Sequence, residues 1–422
     1  MSFNGKIPVE EGWDHTISML LEGYRFIPNR CRKYNSSIFQ TRFMGKKAIC
    51  MSGHEAAAIF YDPIRFQRAK AAPNRILQSL FGKGGVQGLD GVQHDHRKKM
   101  FMSLMTPEQL KKIRNLTEKQ WFMTAKQWIH QDQLTFFHEV EQVMCKIACV
   151  WAGVPLWANE VTRRANDLGA MIDAFGAVGP RHWQGRIARN RSERWMRTLI
   201  RNVRLGKQFV ETDTPLHTIA SHRDVNGQLL PVQIAAVELL NILRPIVAIG
   251  RYITFGMLAL HENPETYEKM RADEGQHQYS QMFVQEVRRF YPFGPYVGAK
   301  VRQDFTWNNC TFNRGTLVLL DIYGTNRDPK VWDRPYSFEP ERFKNWNGHP
   351  YNFIPQGGGD YYTDHRCAGE WVTIDMMQKS LEFLTQRIEY DIPQQDLSYS
   401  LRRMPTIPNS RFIIQNVRWK EK

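Results

Sequence analysis

The sequence has few cysteines, and none of them forms the close pair that holds a structural metal or a catalytic disulfide. Six cysteines occur in 422 residues, without a C-x-x-C. Such usage is typical of a reducing compartment. The chain also lacks a Pro/Gly/Ser-rich linker, a low-complexity tract and an internal repeat. We therefore expect one large domain over residues 1–422 rather than several smaller ones.

Long apolar runs and targeting signals are scarce as well. No run in the sequence approaches the roughly 18 apolar residues of a membrane span. The N-terminus does not combine a basic stretch with an apolar one, so it is not a signal peptide. These absences predict a protein without a transmembrane anchor, located in the cytoplasm.

Acidic residues are few relative to basic ones, which leaves a net charge of +15. A basic surface suits anionic amphiphiles, an acidic protein partner or nucleic acid. The sequence contains no helix-turn-helix, zinc or aromatic-platform signature. We therefore expect no nucleic-acid partner.

Hydrophobic periodicity divides the chain into a large helical part and a small β part. Two strand-like runs within residues 37–51 predict a hairpin, and a short helix follows to residue 60. Helical patterns dominate residues 100–300, and strand signals return near residues 316–320 and 411–415. The fold class is therefore mostly α, with a small β portion near residues 37–60 and further strands toward the C-terminus.

A glycine-rich loop leads to a single cysteine. Gly357, Gly358 and Gly359 precede Cys367, and an amphipathic helical run follows it. Backbone N–H groups and the positive end of that helix favour a thiolate, and a thiolate in an apolar setting is an axial ligand for haem iron. The alternative is a buried, inert cysteine. We take residues 353–370 as the candidate haem-ligand loop.

Three further elements come before this loop in order. They are Glu286 and Arg289, which share a predicted helix face, then Tyr323-Gly-Thr-Asn-Arg-Asp-Pro329, then Phe338-Glu-Pro-Glu-Arg-Phe343. Together with the cysteine loop they resemble the cytochrome P-450 superfamily. The resemblance implies the cytochrome P-450 fold and haem b with Cys367 as the axial iron ligand. It also implies a buried ionic core formed by Glu286, Arg289 and Arg342.

Residues 231–263 predict a helix long enough to cross the whole domain, about 50 Å at 1.5 Å per residue. Arg244-Pro245 lies at its middle. Oxygen-activating members of the superfamily usually carry an acid–alcohol pair there, which delivers protons, and this chain does not. Periodicity alone leaves an alternative open, in which Glu238, Asn241 and Arg244 form a polar stripe that faces solvent.

A cation buried over the haem costs several kcal/mol if it stays unpaired, and the predicted helix offers no close anion. A substrate carboxylate would supply a bidentate partner. The chain looks like the fatty-acid peroxygenase branch of the superfamily along its whole length, for instance in Phe81-Gly-Lys-Gly84, Gln87-Gly-Leu-Asp-Gly91 and Tyr291-Pro-Phe-Gly-Pro295. In that branch the substrate carboxylate performs the acid–base chemistry on hydrogen peroxide.

The resemblance assigns roles on the substrate side. Arg244 binds the carboxylate, and Arg244, Pro245 and Gln87 form the expected catalytic set. Gln87 matches a position near the α and β carbons, where members with His form terminal alkenes and members with Gln mainly hydroxylate. Gln lacks the proton of an imidazolium, so we expect at most minor decarboxylation. Phe81 and Phe293 line the pocket, unless they are ordinary core aromatics.

On the cofactor side, the resemblance places His94 and Arg366 at the haem propionates. Arg97 either joins them or lies on an exposed helix face. The sequence thus predicts a haem-thiolate enzyme that hydroxylates long-chain fatty acids at the α and β carbons with hydrogen peroxide and needs no redox partner. The alternatives are a reductase-dependent monooxygenase and a non-enzymatic fatty-acid carrier or sensor.

Overall fold

The computed structural model describes residues 7–420, and α-helices dominate these residues. The helices are α1 Thr16–Glu22, α2 Phe26–Tyr34, α3 His54–Phe60, α4 Asn74–Ile76, α5 Gly91–Met102, α6 Pro107–Trp128, α7 Phe136–Ala152, α8 Val161–Asp173, α9 Pro180–Arg204, α10 Pro215–Ser221, α11 Val232–Glu262, α12 Pro264–Ala272, α13 Gln278–Phe290, α14 Ile322–Thr325 and α15 Glu370–Gln386. A π-helical turn, Leu77–Phe81, directly follows α4. Single 3₁₀ turns occur at Gly23–Arg25, Val86–Gly88, Ala158–Glu160 and Pro340–Phe343.

The β portion consists of short strands in three sheets. The strands are β1 Ile38–Phe43, β2 Lys46–Met51, β3 Phe66–Gln67, β4 Gln133–Thr135, β5 Tyr296–Val301, β6 Phe305–Trp307, β7 Cys310–Phe312, β8 Leu317–Asp321, β9 Ile388–Asp391 and β10 Ile413–Trp419. The largest sheet has the order β1-β2-β8-β5-β3, and β4-β10-β9 and β6-β7 form the others. The predicted hairpin is confirmed as β1 and β2, which pair from Ile38 with Met51 to Phe43 with Lys46.

The C-terminal strand begins later than the sequence pattern predicts. Arg411 and Phe412 adopt left-handed φ angles of 61° and 59°, so β10 starts only at Ile413. The Phe412 carbonyl instead accepts a hydrogen bond of 2.8 Å from the backbone of Phe136 at the start of α7. A contact between distant parts of the chain thus overrides the local strand preference.

The long helix predicted for residues 231–263 is α11, and its residues are almost all buried. It has 31 residues, begins after Pro231 as the N-cap and continues on both sides of Pro245. It packs against α7, α8, α9 and α15. A helix that is apolar on all sides must bury every face, so other helices surround it.

The expectation that no segment approaches membrane-spanning composition is wrong for α11. An 18-residue window of this helix has a mean hydropathy of 1.7, so by length and composition alone it could cross a bilayer. In the fold, 72% of that window is buried against protein. The sequence reading missed it because Glu238 and Arg244 interrupt the apolar run. These two charges do not lower the mean hydropathy of the window below that of a membrane-spanning helix.

Candidate active site

The loop that carries Cys367 folds back on itself through three consecutive glycines. Gly357 and Gly359 have φ angles of 95° and 89°, a region that side chains rarely occupy. At Gly358, an added Cβ would lie 2.7 Å from the carbonyl oxygen of Pro350. The backbone path therefore requires the glycine run, and it leads the chain to the start of α15.

Cys367 is held by its own loop and by the first turn of α15. Its backbone N–H donates to the Gln356 carbonyl over 3.0 Å. The Gln356 amide nitrogen lies 3.7 Å from the Cys367 sulfur and 3.0 Å from the Thr373 hydroxyl. The thiol is only half-buried, and it lies at the loop-to-helix junction that the sequence predicts.

The protein alone favours the thiol form of Cys367. Burial raises its pKa, and the charge of Glu370 adds to this effect, whereas the Gly369 N–H and the cations of Lys98 and Arg288 oppose it. The Gly369 N–H thus acts in the direction that the sequence predicts, but desolvation has the larger effect on the pKa. A thiolate here needs a bound metal cation in place of the proton.

The surroundings of Cys367 fit a haem better than a bare metal ion. Within residues 7–420, no group of three or more His, Cys, Asp or Glu side chains is placed to hold a metal ion. One thiolate cannot hold a bare ion, whereas a porphyrin already supplies four nitrogens and needs only an axial ligand. Cys367 is therefore the candidate iron ligand, and nearby basic side chains are candidates for the propionates.

His94 and Arg366 lie beside the cysteine loop. The His94 ring is tilted by 34° against the His365 ring, with centroids 3.9 Å apart, and burial lowers the pKa of His94. Arg366 donates through Nε to Glu370 over 2.6 Å. Its backbone carbonyl accepts a hydrogen bond of 2.5 Å from Lys98 Nζ. The sequence reasoning missed Lys98, which ties α5 to the cysteine loop.

Arg97 does not lie on an exposed face, so that alternative is wrong. It is only 7% exposed, and its Nη1 lies 2.6 Å from Glu238 Oε1 of α11. Arg97 is not exposed to solvent because α11 covers this side of α5. The ion pair joins α5 to α11.

Six side chains form a buried set of ion pairs around the cysteine loop, which we call the proximal ion network. Its members are Glu286, Arg288, Arg289, Arg342, Arg366 and Glu370. Arg289 binds Glu286 through two hydrogen bonds of 2.7 Å, and Arg342 Nε lies 3.2 Å from the same carboxylate. The structure thus brings together the three residues that the sequence reasoning grouped.

The other half of the network was missed by the sequence reasoning. Arg288 Nη2 lies 2.6 Å from Glu370 Oε1, and Arg288 also donates to the Gln356 side chain over 2.9 Å. Adjacent arginines on a helix point about 100° apart, and both Arg288 and Arg289 are 1% exposed. Such a pair of adjacent arginines near the end of an amphipathic helix was the available signal, because each needs its own acceptor when it is buried.

The middle of α11 contacts Phe81 through Arg244 and Gln87 through Asn241. We call the four residues Phe81, Gln87, Asn241 and Arg244 the distal pocket. Glu238, Asn241 and Arg244 are 0%, 8% and 5% exposed, so the solvent-facing alternative is wrong. The polar stripe is buried because the segment around residues 77–88 and α5 cover it. Pro245 is half-buried beside Arg244.

Asn241 connects the buried acid of α11 to Gln87. Its Nδ2 donates to Glu238 Oε2 over 2.8 Å and to Gln87 Oε1 over 3.2 Å. A carboxylate only accepts hydrogen bonds, so the Asn241 amide nitrogen must face Glu238. Asn241 Oδ1 is buried, and no described residue donates to it. Because the amide oxygen of Gln87 accepts from Asn241, the amide nitrogen of Gln87 remains as the donor of this side chain.

Arg244 is a buried cation without a carboxylate partner. Its Nη1 donates to the Leu80 carbonyl, its guanidinium lies 5.9 Å from the Phe81 ring centroid, and none of the residues 7–420 pairs with it as an anion within 4.0 Å. Burial lowers its pKa to about 9, with a further contribution from Arg189. The group therefore stays charged at neutral pH.

Phe293 meets α11 at Tyr252, eight residues after Arg244. Its ring is tilted by 33° against the Tyr252 ring of α11, with the centroids 5.3 Å apart. Its carbonyl accepts a hydrogen bond of 2.5 Å from the Tyr24 hydroxyl. Both Phe81 and Phe293 are partly accessible rather than fully buried. Phe293 also packs against the main hydrophobic core, as the core alternative expects, whereas Phe81 lies beside the guanidinium of Arg244.

Known proteins were compared with this chain and its fold. A family model described as Cytochrome P450 matches residues 252–414. Cytochrome P450EX alpha (CYP152N1), solved with myristic acid, is 44% identical with a TM-score of 0.94, over 98% of this chain and 99% of that one. Cytochrome P450SP alpha (CYP152B1) in complex with (R)-ibuprofen is also 44% identical, with a TM-score of 0.94 over 96% and 99%. Ligand-free cytochrome P450 OleT is 37% identical, with a TM-score of 0.96 over 99% and 100%.

Curated sequences match to different extents. A cytochrome P450 of Cavia porcellus is 31% identical over 128 residues, and the match spans 24% of that protein's length. A putative cytochrome P450 138 of Mycobacterium tuberculosis is 21% identical over 380 residues, which is 83% of each chain. The near-complete structural matches decide the matter: the chain belongs to the cytochrome P450 superfamily of haem-thiolate oxidoreductases. Within it, the chain groups with the CYP152 structures, which confirms the predicted fold and the predicted branch.

Proposed function

We propose that this protein is a haem-thiolate peroxygenase that uses hydrogen peroxide to hydroxylate long-chain fatty acids at the α and β carbons. The observation that carries the proposal is Arg244, a charged guanidinium that is 5% exposed and hydrogen-bonded to a neutral carbonyl. A buried cation of this kind favours an anion. A fatty acid combines one anionic group with an apolar chain, and both parts suit the pocket.

Two related structures support the choice of substrate class. One was solved with myristic acid and the other in complex with (R)-ibuprofen, and both compounds are carboxylic acids with an apolar body. A neutral lipid would leave Arg244 unpaired. We therefore assign the carboxylate to Arg244 through two charge-assisted hydrogen bonds.

A bound haem b supplies the oxidising chemistry, with Cys367 as its iron ligand and His94, Arg366 and Arg97 as candidates for its propionates. The protein itself provides no acid–alcohol pair in the middle of α11, where Arg244-Pro245 stands. The substrate carboxylate therefore handles the proton. It accepts a proton from one oxygen of hydrogen peroxide and returns it to the other, which leaves as water. The balance is R–H plus H₂O₂ giving R–OH plus H₂O.

The position of the oxidised carbon follows from the tether. A carboxylate fixed on Arg244 restricts which C–H bonds reach the oxidant, so we expect 2- and 3-hydroxy acids rather than products at the chain end. Gln87 is an amide oriented by Asn241 and cannot deliver a proton as an imidazolium does. We therefore expect terminal alkenes only as a minor product. The reaction needs no redox partner, and we expect a cytoplasmic enzyme.

The test is product formation from peroxide alone. Purified, haem-loaded protein is mixed with myristic acid and hydrogen peroxide without any reductase, and products are identified by mass spectrometry. We expect 2- and 3-hydroxymyristic acid. A reaction that runs only with NADPH and electron-transfer proteins would refute peroxide use and favour a monooxygenase. Tight binding of myristic acid without turnover under either condition would favour a fatty-acid carrier.

A further inference from the structure

A second buried arginine approaches the same carbonyl as Arg244. Arg189 of α9 is 1% exposed, and its Nη1 donates to the Leu80 carbonyl over 2.7 Å. Arg244 of α11 donates to the same oxygen. Two guanidinium groups from different helices therefore meet at one carbonyl oxygen of the π-helical turn Leu77–Phe81.

Arg189 is fixed by further contacts on both sides. Its Nε lies 2.6 Å from Glu193 Oε1 on the next turn of α9, and its Nη2 lies 3.4 Å from the Phe81 carbonyl. Glu193 in turn accepts a hydrogen bond from Gln233 near the start of α11. The side chain thus links α9, α11 and the π-helical turn that carries Phe81.

The Arg189 guanidinium fits against the backbone after Phe81 because residue 82 is a glycine. Gly82 has a φ angle of 81°, and a Cβ added there would collide with Arg189 Nη2. Glycine is therefore needed at position 82 both for the backbone conformation and for the arginine. The turn after Phe81 is built around Arg189, which a solvated surface arginine would not require.

The charge of Arg189 also acts on Arg244. It lowers the pKa of Arg244, as a nearby like charge does. Glu193 compensates Arg189 from the side of α9, whereas Arg244 keeps no carboxylate partner among the described residues. An anion that arrives at Arg244 relieves this repulsion as well as the unpaired charge. The second guanidinium therefore increases the advantage of an anion over a neutral group.

We propose that Arg189 is a positioning residue for the carboxylate site, because it anchors the Leu80 carbonyl that orients Arg244 and adds a second positive charge behind it. This inference rests on the proposed function, in which Arg244 binds the substrate carboxylate. It predicts that Arg189 matters for acids and not for neutral lipids of the same length. A purely structural role in the core would affect both ligands equally.

The experiment compares two ligands of equal chain length on the haem-loaded protein. Myristic acid and 1-tetradecanol are titrated without peroxide, and binding is followed by the change in the haem absorbance. Arg189→Met removes the charge, and Arg189→Lys keeps the charge but loses the forked contact. Arg186→Met changes an exposed arginine of the same helix and is the matched control.

We expect Arg189→Met to weaken myristic acid binding by about tenfold or more, the range for a lost charge-assisted contact, while 1-tetradecanol binding stays within about twofold. Arg189→Lys should fall between the wild type and Arg189→Met, and Arg186→Met should match the wild type. In turnover with peroxide, KM for myristic acid should rise more than kcat falls. The distribution between 2- and 3-hydroxy products should also broaden.

Equal losses for acid and alcohol in Arg189→Met, or an unchanged affinity for the acid, would overturn the inference. If Arg189→Met does not retain haem, Arg189→Lys decides by the same acid-to-alcohol ratio. Failure of the proposed function gives different results. Wild-type protein that binds both ligands equally would refute the Arg244 tether, and wild-type protein that binds the acid selectively without peroxide turnover would refute only the peroxygenase reaction.

Discussion

The proximal ion network and the distal pocket treat buried charge in opposite ways. In the network every arginine faces a carboxylate, with N···O separations from 2.6 to 3.2 Å. In the pocket Arg244 is buried to a similar degree, but its described partner is a neutral carbonyl. Complete pairing holds elements of the fold together, whereas an unpaired buried cation is suited to bind an anion.

The largest expected effect comes from breaking the network. Glu286 serves both Arg289 and Arg342, so Glu286→Gln leaves the buried Arg289 without its anion, while Arg342 keeps Glu339 at 3.5 Å. We expect the free energy of unfolding to fall by about 3–5 kcal/mol, measured by urea denaturation of the haem-loaded protein. Glu341→Gln removes a half-exposed pair with Lys269 and should cost less than about 1 kcal/mol. Similar losses in both variants would contradict the contrast between buried and surface pairs.

The opposite result is expected for the cation of the pocket. Arg244→Ala removes a buried charge that no carboxylate compensates, so the fold and the haem content should be retained. Hydroxylation of myristic acid by peroxide should fall by about a hundredfold or more, because the acid–base group is no longer held in place. Arg244→Lys keeps the charge without the fork and should retain part of the activity. Full activity in Arg244→Ala would remove the carboxylate argument.

A buried carboxyl group offers a third comparison, because it can become neutral where an arginine cannot. Burial raises the pKa of Glu141 on α7 to about 7. Since the folded pKa exceeds the unfolded value of 4.5, folding favours the protonated form, and stability is lost as pH rises from about 4.5 to 7.

Glu141→Gln should remove this pH dependence. Between pH 5 and pH 8, the wild type should lose about 2 kcal/mol of unfolding free energy relative to the variant. Urea denaturation at both pH values measures the difference. Parallel changes in the two proteins would show that Glu141 is ionised in the fold and paired like the members of the proximal ion network.

The smallest effect is expected inside the pocket, where only the product changes. Gln87→His replaces an amide with a group that can donate a proton near neutral pH, so the fraction of terminal alkene from myristic acid should increase. Gln87→Leu removes the hydrogen bond with Asn241 without adding a proton donor, and it should not increase that fraction. The ratio of alkene to hydroxy acid, measured by mass spectrometry, distinguishes the two. An unchanged ratio in Gln87→His would mean that this position does not steer the outcome.

Features that depend on neighbouring residues could be predicted from the sequence. The glycine run before Cys367 is required by the backbone angles at Gly357 and Gly359, and the hairpin of β1 and β2 follows from alternation around a turn. Prediction failed where a distant contact decided the outcome. The start of β10 is displaced because Phe412 pairs with the backbone of α7, and no local pattern contains that information.

The sequence by itself determined the candidate iron ligand Cys367, the long apolar helix and the replacement of the acid–alcohol pair by Arg244-Pro245, because each is a matter of residue identity and local order. Only the tertiary structure decided that Glu238, Asn241 and Arg244 face protein rather than solvent. It alone brought Arg189 and Arg244 to the same Leu80 carbonyl. Periodicity identifies the faces of a helix, but which element covers each face depends on contacts between residues far apart in the chain.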